Sequence, residues 1–208
     1  GVRIDGSARE IKHRKENKMV RDTNKVWDSD RQRKIEKLTA VEQGICKGKL
    51  IPEDRVVELL GRTIRSGEIV AIEGDNQKQA STLSRALTKV DPKEIHDLHI
   101  VLSCPQMPEH LDIFELGIAK QLDFSFSGNS AQRVYDMIAA GTLKVGAIHT
   151  YLELYARMCT DLTPNVCLLC ADMADKEGNL YTGPNTEDTP FIAEMTAFKN
   201  GIVICQVN

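Results

Sequence analysis

The chain has 208 residues, 41% of them hydrophobic and 27% charged, with a formal charge of −3. These values exclude a disordered or fibrous protein, and a chain this long buries about 70% of its unfolded surface, so it needs no disulfide or metal to hold a core. A 5% aromatic share argues against a stacking platform for single-stranded nucleic acid.

Charge is uneven along the chain. Residues 1–50 carry 14 Lys and Arg against 8 Asp and Glu, and the remainder is acidic. No nucleic-acid reading motif follows this basic head, so residues 1–26 read as a solvated leader, disordered or appended, and 27–208 as one α/β domain. The first helix is expected over Trp27–Ile45, with Ile35, Leu38 and Val41 on its apolar stripe. Pro52 opens a second helix with Glu53 and Asp54 in its first turn and Val56, Leu59, Leu60 and Ile64 inward, and Gly67 stops it. Strands are expected at 68–72, 98–103, 122–126, 145–148, 166–171 and 202–207. Helices alternate with them at 78–89, 109–116, 130–140, 151–158 and 189–199. Apolar strands separated by helices predict an open, mostly parallel sheet with helices on both faces.

Ligands bind such sheets outside the carboxyl ends of the strands, which selects the loops at 73–77, 103–108, 126–130, 149–151 and 171–190. In Glu73-Gly74-Asp75-Asn76-Gln77, Gly74 permits close backbone approach, and Asn76 and Gln77 lie where helix-start N–H groups receive an anion or a developing oxyanion. The plainer reading is an ordinary strand-to-helix turn with an Asn or Asp cap. The loop is neither a dinucleotide fingerprint nor a Walker loop. Ser125-Phe126-Ser127-Gly128-Asn129-Ser130 repeats the arrangement around Gly128. His149 ends a strand, where it either binds substrate or is a structural hydrogen-bonded residue. Glu177-Gly178-Asn179 reads as a tight hairpin-type turn. In Asn185-Thr186-Glu187-Asp188 the acids suit the next helix dipole, while the sharper reading puts Asn185 and Glu187 at a site rim. His96, His99, His110 and His13 attract no assignment, the first two because they flank a strand start.

Cys167 and Cys170 form a CxxC inside an apolar run read as a buried strand, whose alternation sends the thiols to opposite faces. No second pair completes a tetrahedral set, so no metal is expected. The six cysteines read as core residues of a reducing compartment. With no apolar run near the about 18 residues a membrane span needs and no secretory signal, a cytoplasmic protein without membrane or nucleic-acid partners is expected.

Four blocks together carry a family resemblance. They are Glu73-Gly74-Asp75-Asn76-Gln77-Lys78-Gln79-Ala80, Asp123-Phe124-Ser125-Phe126-Ser127-Gly128, Gly146-Ala147-Ile148-His149-Thr150-Tyr151-Leu152-Glu153-Leu154, and the segment from Glu177 to Pro190. From about Trp27 to the last residue the chain resembles the alpha subunit of bacterial malonate decarboxylase. That resemblance implies a coenzyme A transferase-like (NagB/RpiA/CoA transferase-like) fold and an acyl-carrier-protein transferase that exchanges acetate for malonate on the carrier's thioester. It implies no covalently bound cofactor. The coenzyme A-type group, a phosphoribosyl-dephospho-coenzyme A, rides on the acyl carrier protein, or arrives as acetyl-CoA or malonyl-CoA.

The implied partners are the acyl carrier protein, the other decarboxylase subunits and small carboxylates, malonate and acetate, in an oligomer. Gly74, Asn76, Gln77, Gly128, His149, Asn185 and Glu187 are the implied substrate or coenzyme contacts. The chain matches only the first half of the family's two related halves, and the attacking glutamate of such transferases belongs to the second. Glu187 is therefore a weak nucleophile candidate. The competing expectations are a sugar-phosphate isomerase-like or deaminase-like enzyme on a similar sheet, and a non-catalytic half-domain for assembly or carrier docking.

Overall fold

The computed structural model describes residues 18–46, 49–74, 78–184 and 188–207, with side chains from Asp28 onward. Helix α1 (Lys18–Glu42) leads to α2 (Val56–Thr63), β1 (Ile69–Ile72), α3 (Ser81–Leu87), β2 (Leu98–Val101), α4 (Glu109–Glu115) and β3 (Ala119–Phe124). Then follow α5 (Ala131–Ala139), β4 (Lys144–Ile148), α6 (Tyr151–Met158) and β5 (Val166–Ala171). A small hairpin, β6 (Met173–Ala174) with β7 (Leu180–Tyr181), precedes α7 (Thr189–Phe198) and β8 (Ile202–Val207).

The main sheet has the order β4-β3-β2-β1-β5-β8, and every neighbouring pair in it is parallel. Crossover helices cover both faces of the central strands, which is why those runs are apolar rather than alternating; the edge strand β4 leaves Lys144, Gly146 and Ile148 exposed. All six residues of β5 are buried. Val56, Leu59 and Leu60 of α2, Leu83 of α3, Leu111 and Phe114 of α4 and Val134 of α5 pack one face together with Val70, Ile100 and Leu122. Leu154 and Met158 of α6 and Ile192 of α7 pack the other face over Ala71, Val101, Cys167 and Leu169. Cys167 and Cys170 thus lie in different layers, as strand alternation requires. Burial pushes the Cys167 thiol up to about 12, so it stays a protonated core residue.

Two details differ from the sequence pattern. The first helix begins at Lys18, ahead of Trp27, and its inward stripe is not Ile35 and Leu38, which are exposed. Val41 of the expected stripe is buried, and Lys37 joins it, followed by Ile45 past the helix end. Lys37 reaches Glu68 Oε1 at 2.5 Å. Burial lowers its ammonium pKa, and Glu68 only partly opposes that. A cation with a long apolar stem can replace an apolar residue when its head finds a carboxylate. The hairpin turn expected at Glu177-Gly178-Asn179 is present: Gly178 has φ +90°, and Met173 pairs with Tyr181 across it.

The strand order locates the ligand crevice. β1 to β4 step outward in one direction, while β5 and β8 lie on the other side of β1. The order therefore reverses between β1 and β5: the chain leaving β1 runs to α3 on one face and the chain leaving β5 to α7 on the other. Such a switch point opens a crevice at the carboxyl ends. Among the described residues, no helix is long and apolar enough to cross a membrane.

Candidate functional site

The loops leaving β1 and β5 meet at this crevice, and buried polar groups line its floor. Glu73, the first residue after β1, is buried, as are Lys78, Asp188 and Thr189. Glu73 Oε2 accepts the Cys170 N–H at 2.6 Å, and its Oε1 accepts the Thr189 hydroxyl. Lys78 Nζ donates to Thr189 Oγ1 at 3.1 Å and to the Thr182 carbonyl at 3.2 Å, with Glu73 Oε1 at 3.7 Å. A buried carboxylate and ammonium are tolerated only when paired and hydrogen-bonded. Here one hydroxyl, Thr189, serves both by donating to the first and accepting from the second.

Beside them Asp188 accepts from Ser103 Oγ after β2 and from the Tyr155 hydroxyl of α6. The dipole-favoured acid at the start of α7 is therefore not a side-chain cap. It ties two loops to α6. Gly183 stands at φ +72°, and a Cβ there would run into the Asp172 carboxylate.

Gly74 and Gly128 flank the loop after β2. A Cβ on Gly74 would meet the Cys104 carbonyl at 2.9 Å, and one on Gly128, at φ +51°, would meet Gln106 Nε2 at 2.9 Å. The Cys104 N–H donates to Gly74 O at 3.0 Å. The glycines thus allow three strand-end loops to pack side by side. Asn76, Gln77, Asn185 and Glu187 lie outside the described residues.

His149 goes elsewhere. β4 is separated from β1 by β3 and β2, and the buried imidazole turns onto Asp123, with Nε2 at 2.7 Å from Oδ1. His99 Nε2 approaches the other oxygen at 2.5 Å. Burial pushes the Asp123 carboxyl up, but hydrogen bonds from His99 and His149 outweigh it and hold it below its ordinary value. Gly146 gives the carboxylate its room, because a Cβ there would collide with it. His149 Nδ1 lies 3.3 Å from Glu153 Oε1, off the hydrogen-bond direction. Sequence reasoning passes over His99 as lying at the wrong end of its strand. The signal for this cluster is register: His99 pairs with Gln121, and Asp123 follows on the same face.

The adjacent helix start is built locally. Thr150 caps α6, accepting the Glu153 N–H at 3.2 Å, in the T-x-x-E spacing of a capping box. Thr150→Ala lowers stability by about 1 kcal/mol, read as a shift of the urea-unfolding midpoint. An unshifted midpoint would show the cap to be idle.

Among the described residues, no group of three His, Cys, Asp or Glu side chains is placed to hold a metal ion. The arrangement brings together close backbone approach at Gly74 and Gly128, a buried carboxylate–ammonium pair and polar loop bases after β1, β2 and β5.

The fold is that of an open parallel α/β protein whose strand order reverses between β1 and β5, the place where ligands bind such sheets. The family model described as "Malonate decarboxylase, alpha subunit, transporter" matches residues 26–208, and the chain belongs to that family. It is 50% identical over 184 residues to the acetyl-S-ACP:malonate ACP transferase of Malonomonas rubra, covering 88% of this chain and 33% of that protein. The crystal structure of a Pseudomonas malonate decarboxylase hetero-tetramer in complex with malonate superimposes with a TM-score of 0.85 at 52% identity, over 88% of this chain and 33% of the other. The alpha subunit from Acinetobacter baumannii matches with a TM-score of 0.85 at 48% identity, over 88% and 34%. A cysteine-to-serine variant of the decarboxylase AibA/AibB, at 18% identity and a TM-score of 0.54 over 73% of this chain and 72% of that one, shares the fold alone. The chain spans about a third of the length of the malonate decarboxylase relatives it matches.

Proposed function

We propose that these residues form the amino-terminal part of an acetyl-S-ACP:malonate ACP transferase. The reaction is acetyl-S-ACP plus malonate giving malonyl-S-ACP plus acetate, so one thioester is exchanged for another and no redox partner is required. The observation that carries this reading is the 50% identity over 184 residues to the Malonomonas transferase. The switch-point crevice supports it by offering the close-packed glycine loops an acyl-carrying arm needs. Near-isoenergetic thioester exchange calls for positioning and oxyanion stabilisation rather than a metal.

In this reading Gly74, Asn76 and Gln77 face the thioester carbonyl or a coenzyme phosphate, and Gly128 lines the same mouth. Asn185 and Glu187 contact malonate or the carrier's prosthetic arm, the coenzyme A-type group being part of the substrate. The attacking carboxylate is assigned to the length of the relatives beyond this chain. His149 acts from a distance, as a support for the start of α6. Partners are the acyl carrier protein and the other decarboxylase subunits.

Mass spectrometry of the carrier, incubated with malonate and the polypeptide bearing these residues within its assembly, tests the reading. Conversion of acetyl to malonyl carrier with release of acetate is expected, and an unchanged carrier would refute it. In the same assay Asn76→Ala lowers turnover by about 10–10³-fold, the effect of losing one oxyanion donor. Full turnover in the folded variant would remove Asn76 from that role.

A further inference from the structure

We infer that Lys78 and Thr189 are positioning residues that clasp the bases of the two crevice loops into one unit, so that neither base is displaced without the other. The inference rests on the transferase reading for its link to turnover, but its geometry does not.

Four residues meet in a single buried knot, and they are the bases of both loops. Glu73 and Lys78 bracket the segment after β1, which an antiparallel bridge between Gly74 and Gln79 closes above them. Thr182 and Thr189 bracket the segment between β7 and α7. One ammonium, Lys78 Nζ, holds both ends of that second segment, through the Thr182 carbonyl and the Thr189 hydroxyl. The Thr189 hydroxyl proton goes to Glu73, and Glu73 is in turn fixed to the sheet by the Cys170 N–H. Each loop is therefore anchored by groups belonging to the other, in a site where an unmet polar group is costly. Asp188 adds a second tether next to Thr189, through Ser103 and Tyr155.

Turnover depends on that shared anchorage. A thioester carbonyl donor on one loop and a carboxylate contact on the other work only at fixed separation, and a misplacement of about 1 Å costs about 10²-fold. A shared base transmits any displacement of one loop to the other.

The test uses Thr189→Val, which keeps the shape and removes the hydroxyl, and Thr189→Ser, which restores it. Hydrogen exchange of this chain, read by mass spectrometry, is expected to accelerate at least about tenfold in both 73–79 and 182–188 in the valine variant, as local opening becomes easier. It should return to the wild-type rate in the serine variant. Acceleration confined to 182–188, or none, would overturn the clasp. Lys78→Met provides a second break at the same knot, judged by the same two segments. In the assembled enzyme, kcat/KM for malonate falls about tenfold in Thr189→Val, mostly through kcat, and Thr189→Ser recovers it. Unaltered kcat/KM alongside coupled exchange would overturn the positioning role. Absence of malonate exchange by the wild type would instead refute the transferase reading, leaving the clasp to be judged by hydrogen exchange.

Discussion

Glu73→Gln is expected to destabilise the protein by about 3–5 kcal/mol, the cost of removing one member of a buried ion pair. The Glu73 carboxylate accepts from the Cys170 N–H and the Thr189 hydroxyl, and it is the anionic neighbour of the buried Lys78 ammonium. An amide keeps the shape but presents N–H donors where only acceptors are wanted, and it leaves Lys78 without that compensation. Urea unfolding measures the effect directly. The double variant with Lys78→Met separates charge from packing: it should be less destabilised than the sum of the singles, because it removes both charges. A single-variant cost below about 1 kcal/mol, or strict additivity, would show that Glu73 is solvated rather than part of a dry knot.

Acid destabilises the fold through His110. This imidazole is fully buried on α4. Ser84 Oγ donates to Ala80 O at 2.9 Å, so His110 Nε2, 3.2 Å from Ser84 Oγ, carries the ring proton. Nδ1 accepts from the Met107 N–H at 3.5 Å. Both nitrogens are committed to the neutral form. Burial pulls the pKa down from 6.5 to about 4.

The folded state therefore binds fewer protons than the unfolded chain between these values, and stability rises with pH across that window. The contribution is complete above about pH 6.5, declines as pH falls towards 4, and is gone below it. Its full size is about 3 kcal/mol. Unfolding free energies at about pH 7, 5.5 and 4.5 for wild type and His110→Gln isolate it from the carboxylates, which titrate in both. Parallel pH profiles for the two proteins would rule out His110 as the sensor.

Neither Glu73 nor His110 stands out in the sequence. Glu73 reads there as the opening of a turn, with its neighbours Gly74, Asn76 and Gln77 as the chemistry, and His110 draws no role. His149 reads either as a mouth residue or as a structural one, and its imidazole lies buried against Asp123. Gly74 and Gly128 pack against the two sides of the loop after β2. Asn76, Gln77, Asn185 and Glu187 lie outside the described residues, and their roles belong to the proposal.

The architecture is legible in the amino-acid pattern. Apolar runs too continuous for half-exposed strands, spaced by helical periods, require a parallel sheet covered on both faces, and the strands at Val166–Ala171 and Ile202–Val207 fall where the pattern puts them. The strand-end loops are marked too by glycine and small polar residues, which suit ordinary turns and caps as well. Which polar residues are buried together is settled by tertiary contact alone. Glu73 and Thr189 are 116 residues apart, Ser103 and Asp188 are 85 apart, and His99 and Asp123 join through strand register. Periodicity reports which face of an element is dry. Whether a charged or hydroxyl group can sit on that face depends on a partner that offsets its desolvation, and that partner is supplied by distant chain brought alongside.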